Sequence, residues 1–194
     1  MSEALARDRS AALDLLHRWV ESPALRGHAA AVEASLRAYA RELGEDEDAW
    51  GCVALLHDFD WERHPTLDQH PQDGEPVLRS LGYPAWFCRA IVSHADHTAV
   101  PRQTALEHHL YACDELSGFV HACGLVRPDG IATLEVSSVK KKLKQKSFAA
   151  GVGRDDVFRG AEEIGRDLDD HITFVIAALR PIATTIGLRD GVSA

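Results

Sequence analysis

The sequence lacks several features that would each have pointed to a definite class of protein. No apolar run is long enough to span a bilayer, and the first residues, MSEALARDRS, contain no signal-peptide core. Cys52, Cys88, Cys113 and Cys123 form no CxxC pair, so we interpret them as reduced core residues. A phosphate-binding loop of the GxxxxGK type is also missing. The default expectation is therefore a cytoplasmic protein.

Positive charge is scarce as well. The chain of 194 residues has 21 lysines and arginines against 30 acidic residues, a formal net charge of −9. An acidic surface repels polyanions, so we expect a small substrate and neither a nucleic-acid polymer nor a membrane as partner. Nothing in the pattern favours a particular oligomeric state. The length allows a sizeable core without disulfides or structural metal.

Strand signals are weak, and the apolar residues keep helical spacing along almost the whole chain. The segment FDWERHPTLDQHPQDGE is predicted to be a loop. We expect an all-α orthogonal bundle that forms one domain over residues 1–194, with a core at about 25–120 and C-terminal helices at about 129–190 packed on it. The predicted helices, the last of them bent at Pro181, cover about 3–21, 25–43, 45–57, 74–81, 84–95, 103–123, 137–145, 155–164 and 166–187.

The stretch LLHDFDW, residues 55–61, ends an apolar run in the adjacent pair His57 and Asp58. Burying such a pair is costly unless something compensates for the lost hydration. One solution is a metal ion, and the other is a helix end that His57 caps while Asp58 starts the next turn. His28 on the preceding helix and Asp114 within a later one would complete a nitrogen and oxygen ligand set. Such a set suits Mn, Fe, Co, Zn or Mg.

The order in which these four residues occur, on helices, resembles the HD superfamily of metal-dependent phosphohydrolases over roughly residues 25–120. The segments LLHDFDWERHP, SHAD, CDELSGF and SVKKKLKQKSFAAGVGR are also similar to a little-characterised bacterial group of predicted hydrolases in that superfamily. This second similarity extends to about residue 165. The resemblance implies an HD-domain-like orthogonal helical bundle and a divalent metal cofactor, and it brings no particular substrate with it.

Some branches of that superfamily hold two metal ions and insert two further histidines between the HD pair and the final aspartate. His70 in DQHPQDG and His94 in VSHADH occur at those places in the order. The alternatives are a surface loop histidine and a helix-end histidine. The resemblance then implies that Asp58 bridges two ions, which in the oxygenase branch form a mixed-valent diiron pair. Three other histidines could take either place: His97, His108 and His109.

Phosphate hydrolysis also needs an acid near the water and a cation near the phosphate. Besides Asp58 as a metal ligand, Asp60 is the preferred catalytic acid, with Glu62 and Glu115 as alternatives.

All five lysines of the chain lie in the segment SVKKKLKQKS, whereas the other 16 basic residues are arginine. Lysine is a compact, mobile charge that suits a terminal phosphate. On a helix, Lys142 and Lys146 would share one face, and we predict that they bind the substrate phosphate. An exposed basic helix or a patch for an anionic partner is the alternative.

The predicted function is a metal-dependent phosphohydrolase, either a phosphomonoesterase or a phosphodiesterase. Its substrate would be a small phosphorylated metabolite or a nucleotide. Two alternatives belong to other classes: a non-catalytic HD-fold module that binds a nucleotide or a protein, and a diiron oxygenase of the same fold. Metal content separates them, because a binding module need not hold any metal.

Overall fold

The computed structural model describes residues 2–189, which fold into helices joined by turns. No β-strand occurs within those residues, so the predicted all-α class is confirmed. Short 3-10 turns lie at Asp96–Thr98 and Arg180–Ile182. The α-helices are α1 (Ser2–Leu5), α2 (Arg9–Trp19), α3 (Pro23–Leu43), α4 (Glu47–Leu56), α5 (Glu75–Leu81), α6 (Ala85–Ser93), α7 (Ala105–Leu125), α8 (Val136–Leu143), α9 (Arg154–Glu163) and α10 (Leu168–Leu179).

The two longest helices, α3 and α7, have ends fixed by capping residues. The Ser22 hydroxyl accepts a hydrogen bond from the Leu25 amide at the start of α3, and Gly44 ends that helix with a φ of 71°. At the start of α7, the Thr104 hydroxyl accepts from the Glu107 amide while the Glu107 carboxylate accepts from the Thr104 amide. This capping box satisfies two amides that the helix itself leaves free.

The long helices form the centre of the packing. Helix α3 packs against α4 and α7, and α10 packs against both α3 and α7. One apolar cluster, which includes Leu36, Phe59 and Phe87, fills the space between the N-terminal helices. A second, which includes Phe119 and Ile176, lies beneath the C-terminal helices. That the whole chain forms one domain stays a prediction. Within residues 2–189, no helix has the length and apolar character that a membrane crossing needs.

Two predicted helices were wrong in extent. The helix expected over residues 3–21 is interrupted, because the Asp8 carboxylate accepts a hydrogen bond from the Ala11 amide at 3.0 Å and starts α2 as a separate helix. The last helix ends at Leu179 and not near residue 187. Pro181 has no amide hydrogen to continue the α-helical ladder, and the chain changes there to a 3-10 turn.

Candidate metal centre

Four side chains from three helical segments converge in what we call the first cluster. His28 lies on α3, His57 and Asp58 follow the last turn of α4, and Asp114 lies on α7. Their ligand atoms all lie within 4.8 Å of one another. The Asp114 carboxylate is 3.0 Å from Nε2 of His28 and 3.3 Å from Nε2 of His57. The packing of α3 against α4 and α7 therefore brings the four predicted ligands together.

A second cluster consists of Asp58, His70 and His94. His70 lies in the turns after α4, and His94 caps the C-terminal end of α6. Oδ1 of Asp58 is 3.1 Å from Nε2 of His70 and 3.4 Å from Nε2 of His94. Oδ2 of the same carboxylate lies 3.3 Å from His57 in the first cluster. Asp58 thus presents one oxygen to each cluster.

Helix ends orient two of the histidine rings. Nδ1 of His57 donates to the Ala54 carbonyl at 2.7 Å, and Nδ1 of His94 donates to the Ile91 carbonyl at 2.5 Å. The last carbonyls of a helix lack the usual i+4 amide partner, so they are available to accept from these rings, although the Ile91 carbonyl also accepts from the His94 amide. A ring that carries its single proton on Nδ1 directs an unprotonated Nε2 into its cluster, as a metal ion would require.

His70 is oriented by a carboxylate instead. Its Nδ1 donates to Oδ1 of Asp60 at 2.8 Å, and the Asp60 side chain is fully buried. The backbone at Gly74 packs closely against this carboxylate, because a Cβ at that position would lie 2.6 Å from Oδ2. We predicted Asp60 as the catalytic acid, but the structure places it behind His70 and away from the cavity. Its contact suits a positioning role.

The carboxylates of the first cluster favour a positive charge beside them. Burial lowers the pKa of His57, but Asp58 and Asp114 outweigh this effect and raise it well above the usual value. Burial likewise raises the pKa of Asp114, while His57 and His28 lower it more strongly, so the net direction is downward. Both shifts arise from attraction between the carboxylates and a positive charge, and a bound divalent ion would supply such a charge in place of the His57 proton.

The spacing of the donor atoms fits such ions. Metal bonds of about 2.0–2.2 Å to nitrogen and oxygen place neighbouring donors about 3.0–3.5 Å apart. The two Nε2 atoms of His28 and His57 are 3.2 Å apart, and those of His70 and His94 are 3.4 Å apart. Nitrogen and oxygen donors suit Mn, Fe, Co, Zn or Mg. Each cluster therefore fits one divalent ion.

A cavity of about 600 Å³, which we call the metal cavity, opens onto both clusters. Trp61 and Leu67 contribute to an apolar part of its wall, and Arg159 contributes a cation. Glu115 also lines it, and burial together with the neighbouring Asp114 raises the pKa of Glu115 to about 7. Glu115 is thus the alternative acid that reaches the cavity, and Arg159 is a lining residue that the sequence analysis missed. As one of 16 dispersed arginines, it carries no local signal.

The two lysines predicted to bind phosphate lie elsewhere. The Lys142 ammonium lies 4.4 Å from the centroid of the Phe148 ring, and Lys146 lies in the turns that follow α8. Because α8 ends at Leu143, the two lysines do not share a helical face as predicted. Among the described residues that line the metal cavity, neither lysine occurs. The structure therefore does not bring them to either cluster.

The alternative histidines also have other partners. Nε2 of His97 donates to the backbone carbonyl of His70 at 2.8 Å, which helps to hold the turn that carries His70. His108 bonds to Glu163, and His109 donates to the carbonyl of Ala105. None of the three belongs to either cluster of the described residues.

An all-helical bundle that gathers histidine and aspartate side chains from several helices into two clusters is typical of a class of metal-binding protein. Residues 25–118 match the family model described as HD domain, and all six cluster residues lie in that segment. Residues 25–118 therefore form an HD domain, and the predicted relationship to the HD superfamily of metal-dependent phosphohydrolases is confirmed. The chain matches no curated protein and no solved structure in the comparisons.

Proposed function

We propose that this chain is an HD-type phosphohydrolase that holds two divalent ions and hydrolyses a small phosphorylated metabolite, a nucleotide being one candidate. The proposal includes both a phosphomonoesterase and a phosphodiesterase. One observation carries it: two ligand clusters share Asp58 and open onto the same cavity. Two ions held in this way suit the displacement of an oxygen at phosphorus.

The division of labour among the residues follows from their positions. When bound, the ions supply Lewis acidity and lower the pKa of a coordinated water. Asp58 links the two clusters through its two oxygens, and the carbonyl-held rings of His57 and His94 keep their Nε2 atoms directed inward. Glu115 lines the cavity beside Asp114 and is the carboxyl group placed to accept a proton from the water.

The charge of the metal cavity supports a requirement for metal. Arg159 is the one lysine or arginine among the described residues that line it, against five acidic side chains. A phosphate dianion entering such a cavity would be repelled unless ions neutralised the carboxylates. The lining acids are Asp58, Asp96, Asp114, Glu115 and Asp156. Metal-free protein is therefore expected to bind and hydrolyse no phosphate ester.

The test combines metal analysis with a phosphate-release screen. Metal-free protein is reloaded with Mn, Fe, Co, Mg or Zn and assayed on p-nitrophenyl phosphate, bis(p-nitrophenyl) phosphate and a panel of nucleotides. Asp58→Ala should lose metal from both clusters and reduce hydrolysis to background. Asp68→Ala removes an exposed acid of the same loop that lines neither cluster, and should retain both. Full metal occupancy without hydrolysis of any ester would overturn the proposal.

The shared carboxylate also favours a second candidate, a diiron oxygenase of the same fold, because that chemistry needs both clusters. Iron-loaded protein would then consume dioxygen in the presence of its substrate, which a phosphohydrolase does not do. A non-catalytic module that binds a nucleotide or a protein would show neither hydrolysis nor oxygen consumption. Phosphate release and oxygen uptake, measured on the same metal-loaded sample, separate the three.

A further inference from the structure

A second cavity of about 1060 Å³ adjoins the metal cavity. Asp156 and Arg159 line both cavities, so these two side chains form the boundary between them. We call the second cavity the basic groove because its wall contains four cationic side chains against three acidic ones. The cations are Lys144, Lys146, Arg154 and Arg159, and the acids are Asp155, Asp156 and Glu162. The groove adjoins the metal cavity through Asp156 and Arg159, although its lysines are far in sequence from the residues of the two clusters.

The wall of the basic groove is fixed by backbone contacts. The guanidinium of Arg154 donates to the carbonyls of Ala149 and Val152 at 2.5 and 2.7 Å, and also to that of Phe148. These bonds fold the turns between α8 and α9 around one side chain. The hydrogen bonds of Arg154 therefore hold the loop, so the groove is formed without a ligand and binding need not order it.

Two cations of the groove have no charged partner of their own. Lys144 and Lys146 are exposed and form no ion pair with any residue of the 2–189 segment. By contrast, Lys140 pairs with Asp169 at 2.7 Å. At the boundary, Arg159 is already paired with Asp96 at 2.7 Å and with Asp156.

All lysines of the chain lie in one seven-residue stretch. Two of them, Lys144 and Lys146, line the groove beside the metal cavity without an ion-pair partner among the described residues. Lysine is a mobile donor that suits a terminal phosphate and adapts to its position. The free lysines lie in the neighbouring groove, so an anion bound by them would be separate from a group held at the two clusters.

We propose that the basic groove is a subsite for a second phosphate group of the substrate. The preferred substrates would be bisphosphorylated metabolites, with one phosphate at the metal centre and the other against Lys144 and Lys146. This inference rests on the proposed function for the group at the metal centre. The pair predicted from the sequence to bind phosphate was Lys142 and Lys146, whereas the pair that lines the groove is Lys144 and Lys146.

The test compares the binding of monophosphates and bisphosphates to the Mn²⁺-loaded full chain by titration calorimetry. The probes are adenosine 5′-monophosphate with adenosine 3′,5′-bisphosphate, and fructose 6-phosphate with fructose 1,6-bisphosphate. We expect at least one bisphosphate to bind about tenfold more tightly than its partner, and the double variant K144A/K146A to lose that preference. The matched control K140A/K141A removes two exposed lysines that line neither cavity, and should keep it.

The absence of any preference for a bisphosphate, including no binding of either probe, would overturn the subsite. So would an equal loss in the two double variants, because that result would mean that general charge and not the groove attracts the anion. Phosphate release from the same samples separates this failure from failure of the proposed function. Hydrolysis without preference contradicts only the subsite, whereas a lysine-dependent preference without hydrolysis contradicts only the phosphohydrolase.

Discussion

The bond between His70 and a buried carboxylate predicts that Asp60→Asn weakens metal binding at one cluster only. The Nδ1–H of His70 donates to Asp60 at 2.8 Å, and both side chains are buried. The negative charge makes the opposite nitrogen of the ring a stronger ligand and fixes its direction. Asparagine has nearly the same shape but no charge, so the variant removes the electrostatic part of the contact with little change in packing.

The expected magnitude follows from the position of the residue. Loss of a partner that orients a metal ligand costs about 10–100-fold in metal affinity, which is about 1.4–2.7 kcal/mol. The effect should be confined to the cluster of Asp58, His70 and His94. The ligands His28 and Asp114 make no contact with Asp60 and should keep their affinity.

Titration of metal-free protein with Mn²⁺ in a calorimeter measures the two binding steps separately. Glu62→Gln is a matched control, since it removes the same charge two residues away. The Glu62 carboxylate accepts from the amides of Glu21 and Ser22 at 2.8 and 3.1 Å and lies outside both clusters. Unchanged affinity in Asp60→Asn, equal weakening of both steps, or the same effect in the control variant would refute the reasoning.

Two further predictions concern stability. In Gly160→Ala the new Cβ would lie 2.7 Å from Cα of Ala112. We therefore expect the free energy of unfolding, measured in urea, to fall by about 1–3 kcal/mol. Gly151→Ala is the control and should change it little, because a Cβ at Gly151 would meet open space. Burial lowers the pKa of His171 from 6.5 to about 4, and the neutral ring accepts from the Tyr39 hydroxyl at 2.7 Å. Because the unfolded chain takes up this proton first as the pH falls, stability should drop by about 2–3 kcal/mol between pH 7 and pH 4.5. Urea unfolding of wild type and His171→Gln at both pH values gives the loss of unfolding free energy between pH 7 and pH 4.5 for each protein. The wild type should lose more than the variant, and equal losses would contradict the prediction.

The helices were predictable because apolar spacing reports which face of a segment is buried. The residues at which the helices begin and end were harder to predict, since a single local contact decides each of them. Asp8 interrupts the first predicted helix through one bond to a backbone amide, and Pro181 stops the last one by lacking an amide hydrogen. The sequence shows both residues but not the effect of Asp8 on the helix. Whether an aspartate caps a new helix or faces solvent depends on neighbours that periodicity does not reveal.

The gathering of six side chains at one place was predicted from their order in the chain, together with the family resemblance. The directions of side chains in irregular segments were not predictable in the same way. Asp60 lies two residues after Asp58, yet it points behind His70 because the turns after α4 have no repeating geometry. Lys142 and Lys146 were assigned to one helical face, but α8 ends between them. Whether the six side chains bind metal stays a prediction.

The position of Asp58 ties the two clusters into one electrostatic unit. Its two oxygens face different histidine pairs, so an ion in one cluster draws on the same negative charge that the other cluster needs. Because like charges repel, the second ion should bind more weakly than the first unless an anion joins them. A phosphate group is such an anion. In a cavity whose wall is otherwise acidic, substrate and second ion should therefore strengthen each other's binding, and by linkage the two effects must be equal.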